Sequence, residues 1–169
     1  MEYFLIGYNF HYLQDLLGIY SLNKGLDYYG EIHNSSLNIL IHGIFMPFTI
    51  YGILLGVPVL FKLNNEKALL IRYNFYIFYI GLYSQLDIFY TLIFAIIYYF
   101  PLKYANIHYN NDYITLIKGI SISFISLYIQ EYVGHYIGGD IPSRIEGVLN
   151  AVFYAKYFGI KETILLGYN

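Results

Sequence analysis

The chain contains no cysteine, and that absence excludes disulfides, zinc fingers and thiol catalysis. It has little charge. Asp, Glu, Lys and Arg make up 12% of its 169 residues, about half of the roughly 25% usual in a soluble domain. A soluble domain of this size needs more charge to cover its surface. The net charge of -2 gives no basic footprint, so nucleic acid is excluded as a partner. Also missing are a Gly-x-Ser-x-Gly elbow, a phosphate loop and a dinucleotide fingerprint. Five histidines are too few for the clustered pairs of the His-rich membrane di-iron desaturases. The N-terminus, with Glu2 and no basic stretch, lacks a secretory signal pattern, so membrane insertion is expected to use internal spans.

What remains is apolar. Hydrophobic residues are 58% of the chain and mean hydropathy is +0.50. The length suits one domain, and the composition is that of an integral membrane protein. Tyrosine is abundant, at 23 residues, while tryptophan is absent. A compositional bias toward Tyr, Ile and Asn accounts for that, with some tyrosines left to anchor the membrane interface.

The expected fold is an all-α membrane bundle of about four or five apolar helices. It forms a single domain over 1–169, with an N-terminal lead-in region (1–35), the bundle (36–158) and a tail (159–169). Apolar spacing from Phe10 to Tyr20 predicts a short amphipathic helix. Gly43 to Phe61 is uncharged for 19 residues, nearly enough to cross a hydrocarbon core of about 30 Å at 1.5 Å per residue. Pro47 and Pro58 lie within it, which membrane helices tolerate when neighbours satisfy the freed carbonyls. Leu69 to Leu102 is too long for one span. It is expected to divide near Ser84-Gln85-Leu86-Asp87 into two short segments, or a span and a re-entrant piece. Lys103 to Asp112 reads as a polar loop, and Ile114 to Ile137 as the next span. Ser143 should cap a last helix that ends near Phe158, with Gly159 as its stop.

Two polar motifs stand against these spans. The first runs from His33 through Ser35, Ser36, Asn38 and His42 to Gly43 and Pro47. The second runs from Gln130 and Glu131 through Gly134 and His135 to Asp140 and Pro142. Imidazole is expensive to place in lipid, so its presence calls for a reason. Nine residues of ideal helix put His33 and His42 on opposite faces. Both can reach one metal only if the helix starts after His33, with Ser35 or Ser36 as its N-cap. Asn38 and His42 are i, i+4 and share a face, so Asn38 can orient His42 or a bound substrate. Glu131 and His135 have the same spacing on the expected helix. That fits a carboxylate–histidine metal pair, and equally a helix-terminal salt link. Gly134 admits a neighbouring helix. Asp140 is either a group reaching back to the site or a turn residue. Asp87 reads better as a helix cap than as an intramembrane carboxylate, and His11 and His108 as solvated residues.

Together the two motifs resemble those of the fungal endoplasmic-reticulum 2-hydroxy fatty acid dioxygenases, named for metabolism of phytosphingosine to odd-numbered fatty acids. The first resembles His-x4-Asn-x3-His-x-x-Gly/Ser-x-x-Pro and the second Gln-x-x-Gly-His-x3-Glu-x3-Pro. The resemblance covers roughly residues 10–165. It implies a small endoplasmic-reticulum membrane enzyme that uses Fe(2+) and O2 to convert a long-chain 2-hydroxy fatty acid to the acid one carbon shorter, with membrane lipids around it. Carried over, His33, His42 and His135 would hold the iron, and Asn38, Gly43, Pro47, Gly134 and Pro142 match as scaffold. The chain departs from the pattern at three places. Asn34 stands where the family has a second histidine. Glu131 stands at the glutamine position, with Gln130 one place earlier. Gly139 stands at the acidic position, with Asp140 next. Glu131 is then expected to complete a three-His, one-carboxylate set, or a two-His-one-carboxylate facial triad with a substituted fourth position. The alternative is a non-catalytic membrane scaffold or lipid-binding homologue that has lost part of the site.

Overall fold

The computed structural model describes residues 26–27, 30–31, 33–140 and 145–167. The expected helix Phe10–Tyr20, His11, the cap at Ser143 and Pro142 lie outside the described residues. The described chain is all-α. Its helices are α1 (Ser36–Leu60), α2 (Asn65–Tyr83), α3 (Ile88–His108), α4 (Tyr113–Tyr128) and α5 (Ile145–Leu166). A π-helical segment, Ile129–Ile137, continues α4 without a break.

Three helices are long and apolar enough to cross a membrane: Ser36–Leu60, Ile88–His108 and Tyr113–Ile137. This indicates membrane association. The distribution of side chains agrees. Large apolar residues such as Phe48, Ile77, Ile96, Ile114 and Phe124 face outward, while Asn38, His42, Thr49, Arg72, Gln130 and His135 are buried. An apolar exterior around a polar interior suits hydrocarbon rather than water.

The long apolar run divides where expected. Asp87 is the N-cap of α3, its carboxylate accepting from the Phe89 and Tyr90 amides at 2.7 and 3.2 Å. Neither half is short, since α2 has 19 residues and α3 has 21, and of the two only α3 is apolar enough to cross a membrane. The expected loop from Lys103 is corrected: α3 continues to His108. Leu102, Ala105 and Tyr109 keep a helical spacing toward the core while Lys103, Tyr104 and Ile107 face out.

Gly159 does not stop the last helix, which runs on to Leu166 through the expected tail. The residue serves close approach instead. A Cβ on Gly159 would lie 3.5 Å from the Gly43 backbone, so α5 meets α1 glycine to glycine. The α1–α4 contact uses the same device. A Cβ on Gly119 would fall 2.7 Å from the Gly56 Cα and N, and small residues are what let membrane helices pack backbone to backbone.

Pro58 has no N–H for the Leu54 carbonyl one turn earlier. The Arg72 Nε, from α2, donates to that carbonyl at 2.7 Å. Arg72 also donates to Asn106 at 3.1 Å and lies 4.2 Å over the Tyr109 ring. A fully buried guanidinium thus repairs the proline's gap and ties α1, α2 and α3 together.

Candidate metal centre

The site is built from three separated pieces of chain. Ser35 is the N-cap of α1, with extended backbone angles (φ -73, ψ 128), so His33 falls in the loop before the helix. Its backbone N–H donates to the Gly30 carbonyl at 3.1 Å, which folds that loop back over the first turn. His42 comes from the second turn of α1, and His135 from the π segment. All three are buried, at 2%, 4% and 0% exposure.

The rings converge. Centroids are 4.7 Å apart for His33–His42, 4.6 Å for His33–His135 and 5.3 Å for His42–His135, all edge-on. One ligand nitrogen from each lies within 4.8 Å of the others. A small inward movement brings them to metal–nitrogen distances of about 2.0–2.2 Å. Both ring nitrogens of His42 and the Nε2 of His135 are buried with no hydrogen-bond partner. Buried polar atoms are normally satisfied, and a cation would take one ring nitrogen from each histidine. The cluster could therefore hold a metal ion.

The π segment decides which neighbours of His135 face inward. In an α-helix Glu131, four residues before His135, would share its face. Here hydrogen bonds run i→i+5, and Gln130, five residues before, takes the interior place. Gln130 is fully buried, donating to the Thr49 hydroxyl at 2.9 Å and the Ser126 carbonyl at 3.1 Å. Glu131 is exposed, outside the cluster. The structure thus corrects the placement of Glu131 as a ligand or catalytic carboxylate.

Asn38 is fully buried beside His135 rather than orienting His42. Its Nδ2 lies 3.3 Å from His135 Nδ1 and donates to Asp140 Oδ2 at 2.8 Å. Asp140 also accepts from the Ser35 backbone N–H at 3.0 Å. Burial works to raise the Asp140 carboxyl pKa. Hydrogen bonds from Asn38, Ser35 and Asn34 outweigh it and hold the group below the usual carboxylate value. Gly139, at φ +82, makes the left-handed turn that aims Asp140 back at α1. Glycine occupies the position whose backbone needs it, and the acidic residue follows it. Gly134 lets Asn38 in, since a Cβ there would lie 2.6 Å from Asn38 Oδ1.

The remaining candidates fall elsewhere. Asn34 is exposed and donates to the Glu31 carbonyl at 2.7 Å. His108 is exposed but not solitary, its Nδ1 standing 2.8 Å from the Tyr51 hydroxyl at the far end of α1. A polar hollow of about 520 Å³ opens beside His33, walled by Asp27, Glu31, Asn34, Lys161 and Glu162. An apolar groove of about 490 Å³ runs between α1, α3 and α4, lined by Pro47, Phe48, Ile97, Phe100 and Ile122.

Three buried, converging histidines, gathered among apolar spans, make this a membrane-associated helix bundle with a candidate metal centre. No family model, no curated protein and no solved structure matches the chain.

Proposed function

We propose that the protein is a membrane metalloenzyme whose three histidines hold Fe(2+), and that it shortens long-chain 2-hydroxy fatty acids by one carbon using O2. The observation that carries the metal is the convergence of His33, His42 and His135 with both His42 nitrogens buried and unpartnered. The iron, the substrate and the endoplasmic-reticulum location rest on the motif resemblance.

Histidine ligands suit iron, and a three-histidine set leaves coordination positions open. Bound there, the ion would supply Lewis acidity and a place for O2. The reaction balances as 2-hydroxy acid plus O2 giving the shorter acid, CO2 and water. The chain's own residues supply the rest. The polar hollow beside His33 opens next to the cluster, with Lys161 on its wall among Asp27, Glu31 and Glu162. The apolar spans and surrounding membrane lipids accommodate the acyl chain. Asn38 and Asp140 hold His135 in place. Asn34 lies outside the cluster, so the family histidine it replaces is not needed to build the three-histidine set.

The test is metal analysis of detergent-purified protein with oxygen uptake. Iron near one equivalent, and uptake with a 2-hydroxy acid well above that with the unhydroxylated acid, is the expected result. The physical reason is chelation, since the 2-hydroxyl adds a second oxygen ligand to the carboxylate. Folded, metal-free protein inert to 2-hydroxy acids across chain lengths would favour the scaffold reading.

A further inference from the structure

We infer that the Asn38 side-chain amide is a two-position switch: it sets which nitrogen of His135 carries the proton, and so whether His135 can ligate. The inference rests on the metal-centre reading above and assigns Asn38 a positioning role within it.

A neutral imidazole has one N–H and one lone pair. A metal takes the lone pair, so the other nitrogen must hold the proton and donate it to a neighbour. The amide geometry points to the opposite arrangement at His135. The Asn38 Nδ2 stands 3.3 Å from His135 Nδ1 and 2.8 Å from Asp140 Oδ2. A carboxylate only accepts, so Asp140 fixes which end of the amide is the NH2. That group has two hydrogens. One goes to Asp140 and the other to His135 Nδ1. Nδ1 therefore accepts, and the ring proton stays on Nε2, the nitrogen with no hydrogen-bond partner. In this state Nε2 has no lone pair to give.

A half-turn of the amide reverses this. Oδ1 then accepts from Nδ1–H, the proton having moved from Nε2 to Nδ1, and Nε2 is free to ligate. The ring stays neutral throughout. Two features permit the turn. Asn38 Oδ1 is buried without a hydrogen-bond partner, so no bond is lost on that side. Residue 134 is glycine, and a Cβ there would lie 2.6 Å from Oδ1. What opposes the turn is the Asn38–Asp140 hydrogen bond, which must break. Ligation by His135 and the hold of the Gly138–Asp140 turn on α1 are therefore coupled against each other. The turn keeps its bond to the Ser35 backbone N–H in either state.

The experiment uses full-length protein labelled with 15N-histidine in detergent micelles, read by long-range proton–nitrogen spectra without metal and with Zn2+ as probe. Wild type is expected to show His135 as Nε2–H without metal and as Nδ1–H with zinc. The exchange variant N38D/D140N places an acceptor-only group beside Nδ1 and a donor beside that group. It should show Nδ1–H even without metal, and bind zinc about tenfold or more tightly than wild type. The same tautomer in metal-free wild type and variant, or, where wild type binds zinc, an unchanged zinc affinity, overturns the switch. If the exchange variant does not fold, Asp140→Asn alone, which removes the carboxylate that fixes the amide, should shift both readouts in the same direction. No shift overturns the proposal equally. Metal-free tautomers that behave as described in a protein that binds no zinc would sink the metal centre and leave the switch standing.

Discussion

Gln130 and His135 lie five residues apart and share the buried side of the segment that continues α4, while Glu131, four residues from His135, faces out. That relationship reverses the ranking an α-helix would give to the two polar side chains.

Glu131→Ala should therefore leave metal content near that of wild type. Gln130→Ala should destabilise the fold by about 1–3 kcal/mol, because the Thr49 hydroxyl and the Ser126 carbonyl lose a buried donor. Metal analysis and thermal unfolding in detergent read the two effects. A large loss of metal in Glu131→Ala would return the carboxylate to the site.

Asp140 gives a pH dependence whose sign is fixed. Its folded pKa lies below the ordinary carboxylate value, so its stabilisation is fully present above that ordinary value. It is lost as pH falls through the folded pKa. The gap in melting temperature between wild type and Asp140→Asn should be constant near neutrality and close only below about pH 4. A gap that closes between pH 5 and 7 would assign the effect to another group.

Arg72→Met should cost about 1–3 kcal/mol, since the Leu54 carbonyl is left without a donor. Pro58→Ala restores the helical N–H to that carbonyl. The double variant should thus recover part of the loss, a coupling that a double-mutant cycle of unfolding free energies measures. Strict additivity would show that the guanidinium acts elsewhere.

Asn34→His should change metal affinity less than twofold. Position 34 is exposed, and its side chain serves the Glu31 carbonyl. Zinc or cobalt titration checks this. A rise of tenfold or more would mean that the loop turns over to bring a fourth imidazole into the cluster.

The all-α class and the division at Asp87 were legible because each follows from a local rule; the meeting of the three histidines was expected from the two paired motifs and their resemblance. Capping by Asp87 needs only its place before an apolar run, and His33 lies outside the helix because α1 starts after Ser35, at the expected N-cap position. The orientation of Glu131 was not legible. It depends on one extra residue per turn in the last stretch of the span, and no local propensity announces that. Gly159 was misread for a related reason: a glycine that ends a helix and one that lets two helices touch look alike until the partner, Gly43, is known. The Asn38 amide belongs to the same kind. Its partners, His135 and Asp140, are about a hundred residues away.

The bond from the Ser35 amide to the Asp140 carboxylate joins positions 105 residues apart. Synthesis proceeds from the N-terminus, so His42 emerges with the first span long before its third companion exists. Until the π segment arrives, the imidazole has neither His135 nor the Asp140 closure around it. The centre is thus among the last parts of the bundle to assemble. A chain cut after α3 would keep two of the long apolar helices, and His33 and His42 with them, yet have no three-histidine pocket to fill.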